Sequence, residues 1–116
     1  MEMKLTILKH VLSGVLNPFT MGENVDSYVD YVATVIDMTN ELEKESFGYV
    51  PLVLDCIACE LDAIMEMAKV KCPSIRHYWN KLEKMLPLLD VVTDDTKTCK
   101  EQKEAVNQAQ LIIMFN

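Results

Sequence analysis

The sequence predicts an all-α, single-domain bundle of about five to seven helices around a central hydrophobic helix. Apolar residues recur at spacings of three and four along nearly the whole chain, and no segment alternates with period two for long enough to make a strand. Half of the 116 residues are hydrophobic, with only 3 glycines and 4 prolines. That composition opposes both a disordered chain and a turn-rich β fold. One segment, about residues 51–71, is apolar around most of its circumference, as an enclosed helix is. A chain of this length makes one domain, residues 1–116, able to hide about two thirds of its unfolded surface.

Segment one, about residues 3–16, sets Leu5, Leu8, Leu12 and Val15 on one face, with Ile7, Val11 and Leu16 beside them. Asn17-Pro18 stops it, because the residue before a proline avoids helical angles. Segment two starts near Thr20, where Thr20 and Glu23 have capping-box spacing. Val25, Tyr28, Val29, Val32, Val35, Ile36 and Leu42 form its apolar stripe. It ends near Ser46, and Gly48 suits the left-handed turn that closes a helix. Segment three carries Pro51 in its first turn, where a missing N–H costs nothing. Its Leu52, Val53, Leu54, Ile57, Leu61, Ile64, Met65 and Met67 leave one polar stripe of Asp55, Asp62, Glu66 and Lys69.

Segment four runs from Ser74, an N-cap residue type, to about Leu86, with Ile75, Tyr78, Trp79, Leu82, Met85 and Leu86 in helical register. Pro87 is expected to end or kink it. Segment five is expected to start near "VTDDT", where Thr93, Asp94 and Asp95 suit a helix N-terminus by capping and charge. Its apolar tail "LIIMF" needs cover from the core or a partner, and a homodimer through this tail is one such cover.

Net charge is −7 and unevenly spread. Residues 17–68 hold eleven acids against the single base Lys44, a net −10, while residues 1–16 and 69–116 come to +1 and +2. So acidic a half repels phosphates, which disfavours nucleic acid as a partner and permits basic proteins. Glu23, Asp30, Asp37, Glu41 and Glu45 share a strip of segment two. Such a strip is usually a solvated helix face. Its sharper reading is an acidic viral or phage interaction protein that mimics DNA or blocks a basic protein surface. No segment has a signal peptide's clean apolar centre, and none reaches the roughly 18–20 apolar residues of a membrane span. Four cysteines at irregular spacing fit free thiols in a reducing compartment, so the expected location is the cytosol.

"LDCIACELDAI", residues 54–64, contains Cys56 and Cys59 in C-x-x-C spacing. A redox pair of this type sits at a helix N-terminus, where the dipole lowers the thiol pKa, whereas these cysteines lie mid-helix. A zinc site needs two more ligands, and Cys72, Cys99, His10 and His77 form no second paired motif. Both cysteines therefore read as small core residues, with no metal and no cofactor expected. Glu60 falls on the apolar side, among Val53, Cys56, Ile57, Ile64 and Met67. A carboxylate there needs a partner, from Tyr28, Tyr49, Trp79 or a basic side chain, or else marks a face open to solvent or ligand. There is no nucleophile–histidine–acid arrangement, glycine-rich phosphate loop or H-E-x-x-H, so no enzyme is expected. "NPF" at 17–19 matches a short peptide-recognition motif, but a helix stop explains it better.

"VATVIDMTNELEKESFGYVPLVLDCIACELDAI" resembles the stretch of Bcl-2-like proteins that leads through their first-homology region into their central apolar helix. There the family has Glu-Leu, a short spacer, then Asn-Trp-Gly-Arg. Here Glu41-Leu42 and Ser46-Phe47-Gly48-Tyr49 correspond. "PSIRHYWNKLEKML" is similar to the family's next amphipathic helix and "MKLTILKHVLSGVL" to its first, so the resemblance covers about residues 3–90. It implies a hydrophobic surface groove that sequesters the amphipathic BH-3 helix of pro-death proteins, and hence inhibition of apoptosis in a host cytosol. The small size is similar to viral members. The groove would be lined by Val32, Ile36, Phe47, Gly48, Tyr49, Leu52 and Val53, with Gly48 admitting the ligand backbone. Tyr49 stands where the family's arginine pairs with the ligand's aspartate, and only about 25 residues separate segment one from the turn into the central helix, which together imply a narrow ligand range, a blocked groove or a groove occupied by a dimer.

Overall fold

Specific backbone and side-chain bonds fix most of the helix ends. The computed structural model describes residues 2–17 and 24–115. Among them are five helices and no strand: α1 (Glu2–Val15), α2 (Val25–Glu45), α3 (Val50–Lys69), α4 (Ile75–Val92) and α5 (Cys99–Met114). The expected stop at Pro18 and the Thr20–Glu23 capping box lie outside the described residues. α2 is capped by Asn24, whose Oδ1 accepts from the Ser27 amide at 3.1 Å. α3 carries Pro51 in its first turn, as expected. It ends in a pair of backbone bonds, Cys72 N–H to Met67 C=O and Lys71 N–H to Ala68 C=O, at 2.9 and 3.1 Å. This geometry needs a left-handed residue at Lys71, whose φ is +53°.

Three expectations about α4 and α5 are corrected. Ser74 stands at the N-cap position, but its side chain caps nothing. The first turn is satisfied instead by tight backbone bonds such as His77 N–H to Ser74 C=O at 2.9 Å. Pro87 does not end the helix, which continues to Val92. The carbonyl it orphans belongs to Glu83, four residues back. Both residues are exposed, while Leu89 and Val92 beyond the proline are buried and hold the last turn down. Thr93 to Asp95 do not start α5 either. Thr93 caps the end of α4, and Asp94 Oδ1 takes the Thr96 amide and hydroxyl at 2.9 and 2.7 Å in a local turn. α5 starts after Thr98, which accepts from the Glu101 amide at 3.1 Å.

α3 packs against α2, α4 and α5, and α1 lies on α2. The molecule measures 43 × 30 × 20 Å, so its thinnest dimension holds two layers of helices about 10 Å across. Val53, Leu54, Ile57, Leu61 and Ile64 of α3 have no exposed surface, which confirms it as the enclosed helix. The expected stripe of α1 (Leu5, Leu8, Leu12, Val15) is buried as a set.

Tyrosine hydroxyls fasten α1. Tyr28 donates to the Val15 carbonyl at 2.7 Å and accepts from Trp79 Nε1 at 2.9 Å, tying α1, α2 and α4 through one buried oxygen. Tyr31 donates to the Val11 carbonyl at 2.7 Å. Gly14 lies against this second hydroxyl, and a Cβ there would collide with it. Gly14→Ala is expected to destabilise by about 1–3 kcal/mol in urea unfolding, less in a Tyr31→Phe background where the nearest colliding atom is gone. Lys71→Gly is expected to stabilise by about 0.5–1 kcal/mol, because only the strained left-handed residue changes.

Candidate functional site

The α2–α3 join holds three of the seven residues assigned to the groove. α2 stops at Ser46, a buried residue whose Oγ donates to the Glu43 carbonyl at 3.1 Å. The chain then turns through Gly48, with φ +67°, and re-enters a helix after Tyr49. A Cβ on Gly48 would meet nothing within 4 Å, so the backbone angle, not lack of room, calls for glycine. Phe47 is thrown outward, 82% exposed. Phe47, Gly48 and Tyr49 line a hollow of about 260 Å³ with Leu5, Val50, Val92, Thr93, Asp95 and Gln102.

The other four assigned residues do not line that hollow. Leu52 is on the surface, 45% exposed, and Ile36 is half-buried. Val32 and Val53 have no exposed surface and belong to the core. Leu5, Val92 and Gln102 were missed because they come from α1, α4 and α5, and no local pattern reports that these helices meet here.

Glu60 is buried, 3% exposed, and its partner is basic. Lys81, on α4 and 6% exposed, places Nζ 3.1 Å from Glu60 Oε1. The same ammonium donates to the Ile113 carbonyl of α5 at 3.4 Å and stands 5.4 Å from the centre of the Tyr78 ring. Glu60 Oε2 is buried with no hydrogen-bond partner among the described residues. The pair thus joins three helices and presents no reactive group to solvent.

The thiols are shaped the opposite way from redox cysteines. Cys56 is buried and Cys59, beside Asp55 and Asp62 on the polar stripe, is exposed, so only one of the two is a core residue. Burial first, then the Asp55 charge, pushes the Cys56 thiol up to about 11. Cys59 is also raised, by desolvation and then by Asp55, Asp62, Glu60 and Glu43. Among the described residues no three histidine, cysteine, aspartate or glutamate side chains gather to hold a metal. Among them, too, no helix is long and apolar enough to cross a membrane. The tail is half covered: Ile112 and Ile113 pack on the core, while Leu111, Met114 and Phe115 are exposed.

The class that fold and surface define is an all-helical bundle with an ion-paired interior and several hollows of mixed polarity on its face. No protein-family model, curated protein or solved structure matches the chain.

Removing either member of the buried pair is expected to cost about 3–5 kcal/mol, because the other charge is left unpaired in the core. Glu60→Leu with Lys81→Met is expected to lose far less than the sum of the single changes, in a double-mutant cycle by chemical denaturation.

Alkaline pH is the second check. Burial raises Tyr28 from 10.0 to about 12, partly offset by the Trp79 hydrogen bond. The unfolded chain therefore loses that proton first. The stability Tyr28 contributes is complete below pH 10 and is lost as pH rises toward 12, about 2–3 kcal/mol in all. Cys56 acts the same way between its ordinary 9.0 and about 11. The denaturant midpoint is expected to fall across this range, less steeply in Tyr28→Phe.

Proposed function

We propose that this chain is a Bcl-2-like apoptosis inhibitor, similar to small viral members, that sequesters the BH-3 helix of pro-death proteins. The observation that carries the reading is the exposed Phe47 beside Gly48 and Tyr49, on a hollow at the entry of the enclosed helix α3. That is where the resemblance puts the ligand. A helix-in-groove complex takes apolar anchors from an amphipathic ligand, and exposed aromatics flanking a hollow are suited to receive them. Phe47, Gly48, Tyr49, Leu52 and Ile36 offer accessible or half-accessible surface for this contact. Val32 and Val53 join it only if α2 moves off α3, since both have no exposed surface now. Tyr49 supplies a hydroxyl and a ring in place of a guanidinium, so the ligand's aspartate gains no charge partner there. Ligands that depend least on that pair are favoured.

Calorimetric titration with a panel of BH-3 peptides tests the reading. One or a few peptides are expected to bind with nanomolar to micromolar affinity. Gly48→Trp is expected to weaken them at least about tenfold. Gly48→Asn, which tolerates the left-handed angle without bulk, is the control for folding. Tight binding that ignores Gly48→Trp and Phe47→Ala would remove the site, and a panel with no binder would remove the function.

A further inference from the structure

A second hollow lies between α1 and α2 and shares no lining residue with the one at Phe47. It encloses about 170 Å³ and is lined by Lys4, Ile7, Leu8, Met38, Glu41, Leu42 and Glu45. Its floor is apolar. Leu8 and Leu42 are core residues, and Ile7 stands 47% exposed above them. Met3, the adjacent apolar residue of α1, is 76% exposed. Ile7 and Met3 leave aliphatic surface open beside the hollow, but apolar surface alone does not name an occupant.

The rim does. Lys4 is neutralised by Glu45, with Nζ 2.9 and 2.8 Å from its two carboxylate oxygens. That hydrogen bond, with the charges of Glu45 and Glu41, holds the ammonium's pKa above the usual lysine value. Glu41 has no ion-pair partner among the described residues, and neither have Asp37 and Asp30 further along the same side of α2. At 100° per residue these three acids fall within an arc of about 40°, and Met38 flanks that arc on the side toward α1. Of the three acids Glu41 lines the hollow, and Asp37 and Asp30 continue the acidic border along α2 beyond it.

We infer that the α1–α2 hollow is a docking site for a basic amphipathic helix of a partner protein. The partner's apolar stripe covers Ile7 and Met38, and its lysines or arginines face Glu41, Asp37 and Asp30. A nucleic-acid mimic has no use for the apolar floor, and an acidic amphipathic helix would meet an acidic border. This surface goes beyond the BH-3 reading and does not depend on it.

The test uses a synthetic amphipathic helical peptide of leucine and lysine, with a control in which every lysine is glutamate. Binding to the full chain is followed by fluorescence anisotropy at low and high salt. The lysine peptide is expected to bind and the glutamate peptide not. Ile7→Ser is expected to weaken binding about tenfold, because a buried isoleucine contact is lost. Asp37→Asn with Glu41→Gln is expected to weaken it and flatten its salt dependence. Ile7 and both acids are at the surface, so circular dichroism should show every variant folded. Glu41→Lys, a change at an exposed position, keeps the test decisive should Ile7→Ser unfold. Binding that ignores Ile7→Ser and Glu41→Lys would reduce the effect to diffuse charge and overturn the site. So would equal binding of the glutamate peptide, or no binding at all. Sedimentation of the wild type as a dimer that Ile7→Ser dissociates would assign the hollow to a second copy and likewise overturn the inference.

Discussion

The Glu60–Lys81 ion pair is the constraint on which the arrangement of the bundle turns. Two charges taken out of water cost more than one contact returns, so such a pair adds little net stability against an apolar alternative. Its effect is on uniqueness. Helices packed only through leucine, isoleucine and valine tolerate sliding, since many registers bury similar area. Sliding α4 along α3 by one turn, about 5.4 Å, would strand a carboxylate and an ammonium in the core. The third contact of Lys81, with the Ile113 carbonyl, extends this register to the last turn of α5. That turn also carries Ile112 and Ile113, the two residues of the apolar tail that pack on the core.

A second polar clamp does for α1 what the ion pair does for α4 and α5. The carbonyl of Val15 belongs to the last turn of α1 and has no partner within the helix. Tyr28 supplies one, and Trp79 donates to the same tyrosine oxygen. All of this lies at the C-terminal end of α1. Its N-terminal half is held by Leu5 and Leu8 in the core and by the exposed pair Lys4–Glu45, which water screens. Leu5 lines the hollow at Phe47, whereas Lys4, Ile7 and Leu8 line the hollow on α2. The less firmly held end of one helix therefore forms a wall of both hollows.

The sequence made the helices legible because burial in a bundle is periodic. The stripe of α1 and the polar stripe of α3 were readable residue by residue. Boundaries were less so, because a boundary depends on which of several competing signals the packing favours. Thr93, Asp94 and Asp95 have good capping chemistry, but Leu89 and Val92 draw α4 onward past Pro87, and the same residues become its end. The signal that does start α5 is Thr98 followed three residues later by Glu101, the spacing given weight at Thr20. In the candidate site, Gly48 was legible as a turn and Phe47 and Tyr49 came with it. Val32 and Val53 were not separable from surface positions, since a groove floor and a core have the same apolar periodicity. Glu60 was legible as an acid in need of a partner, but the choice of Lys81 over the tyrosines is set by how α4 lies on α3.

Electrostatics sort what remains. The acidic half of the chain is folded into α2 and α3, and its field acts inward as well as outward. Inward, burial and then the Asp55 charge raise the Cys56 thiol, and at the exposed Cys59 desolvation and then Asp55, Asp62, Glu60 and Glu43 act the same way, so both thiols hold their protons more firmly than a free cysteine. Outward, the same field selects partners by sign before any contact forms. An acidic face with no apolar element would adsorb any polycation and specify none. Here Ile7 and Met38 sit at its border, and Phe47 projects at the end of the same helix. The surface can therefore require two properties of a partner at once, a helix-spaced apolar stripe and the right charge beside it. That pairing separates recognition from adsorption.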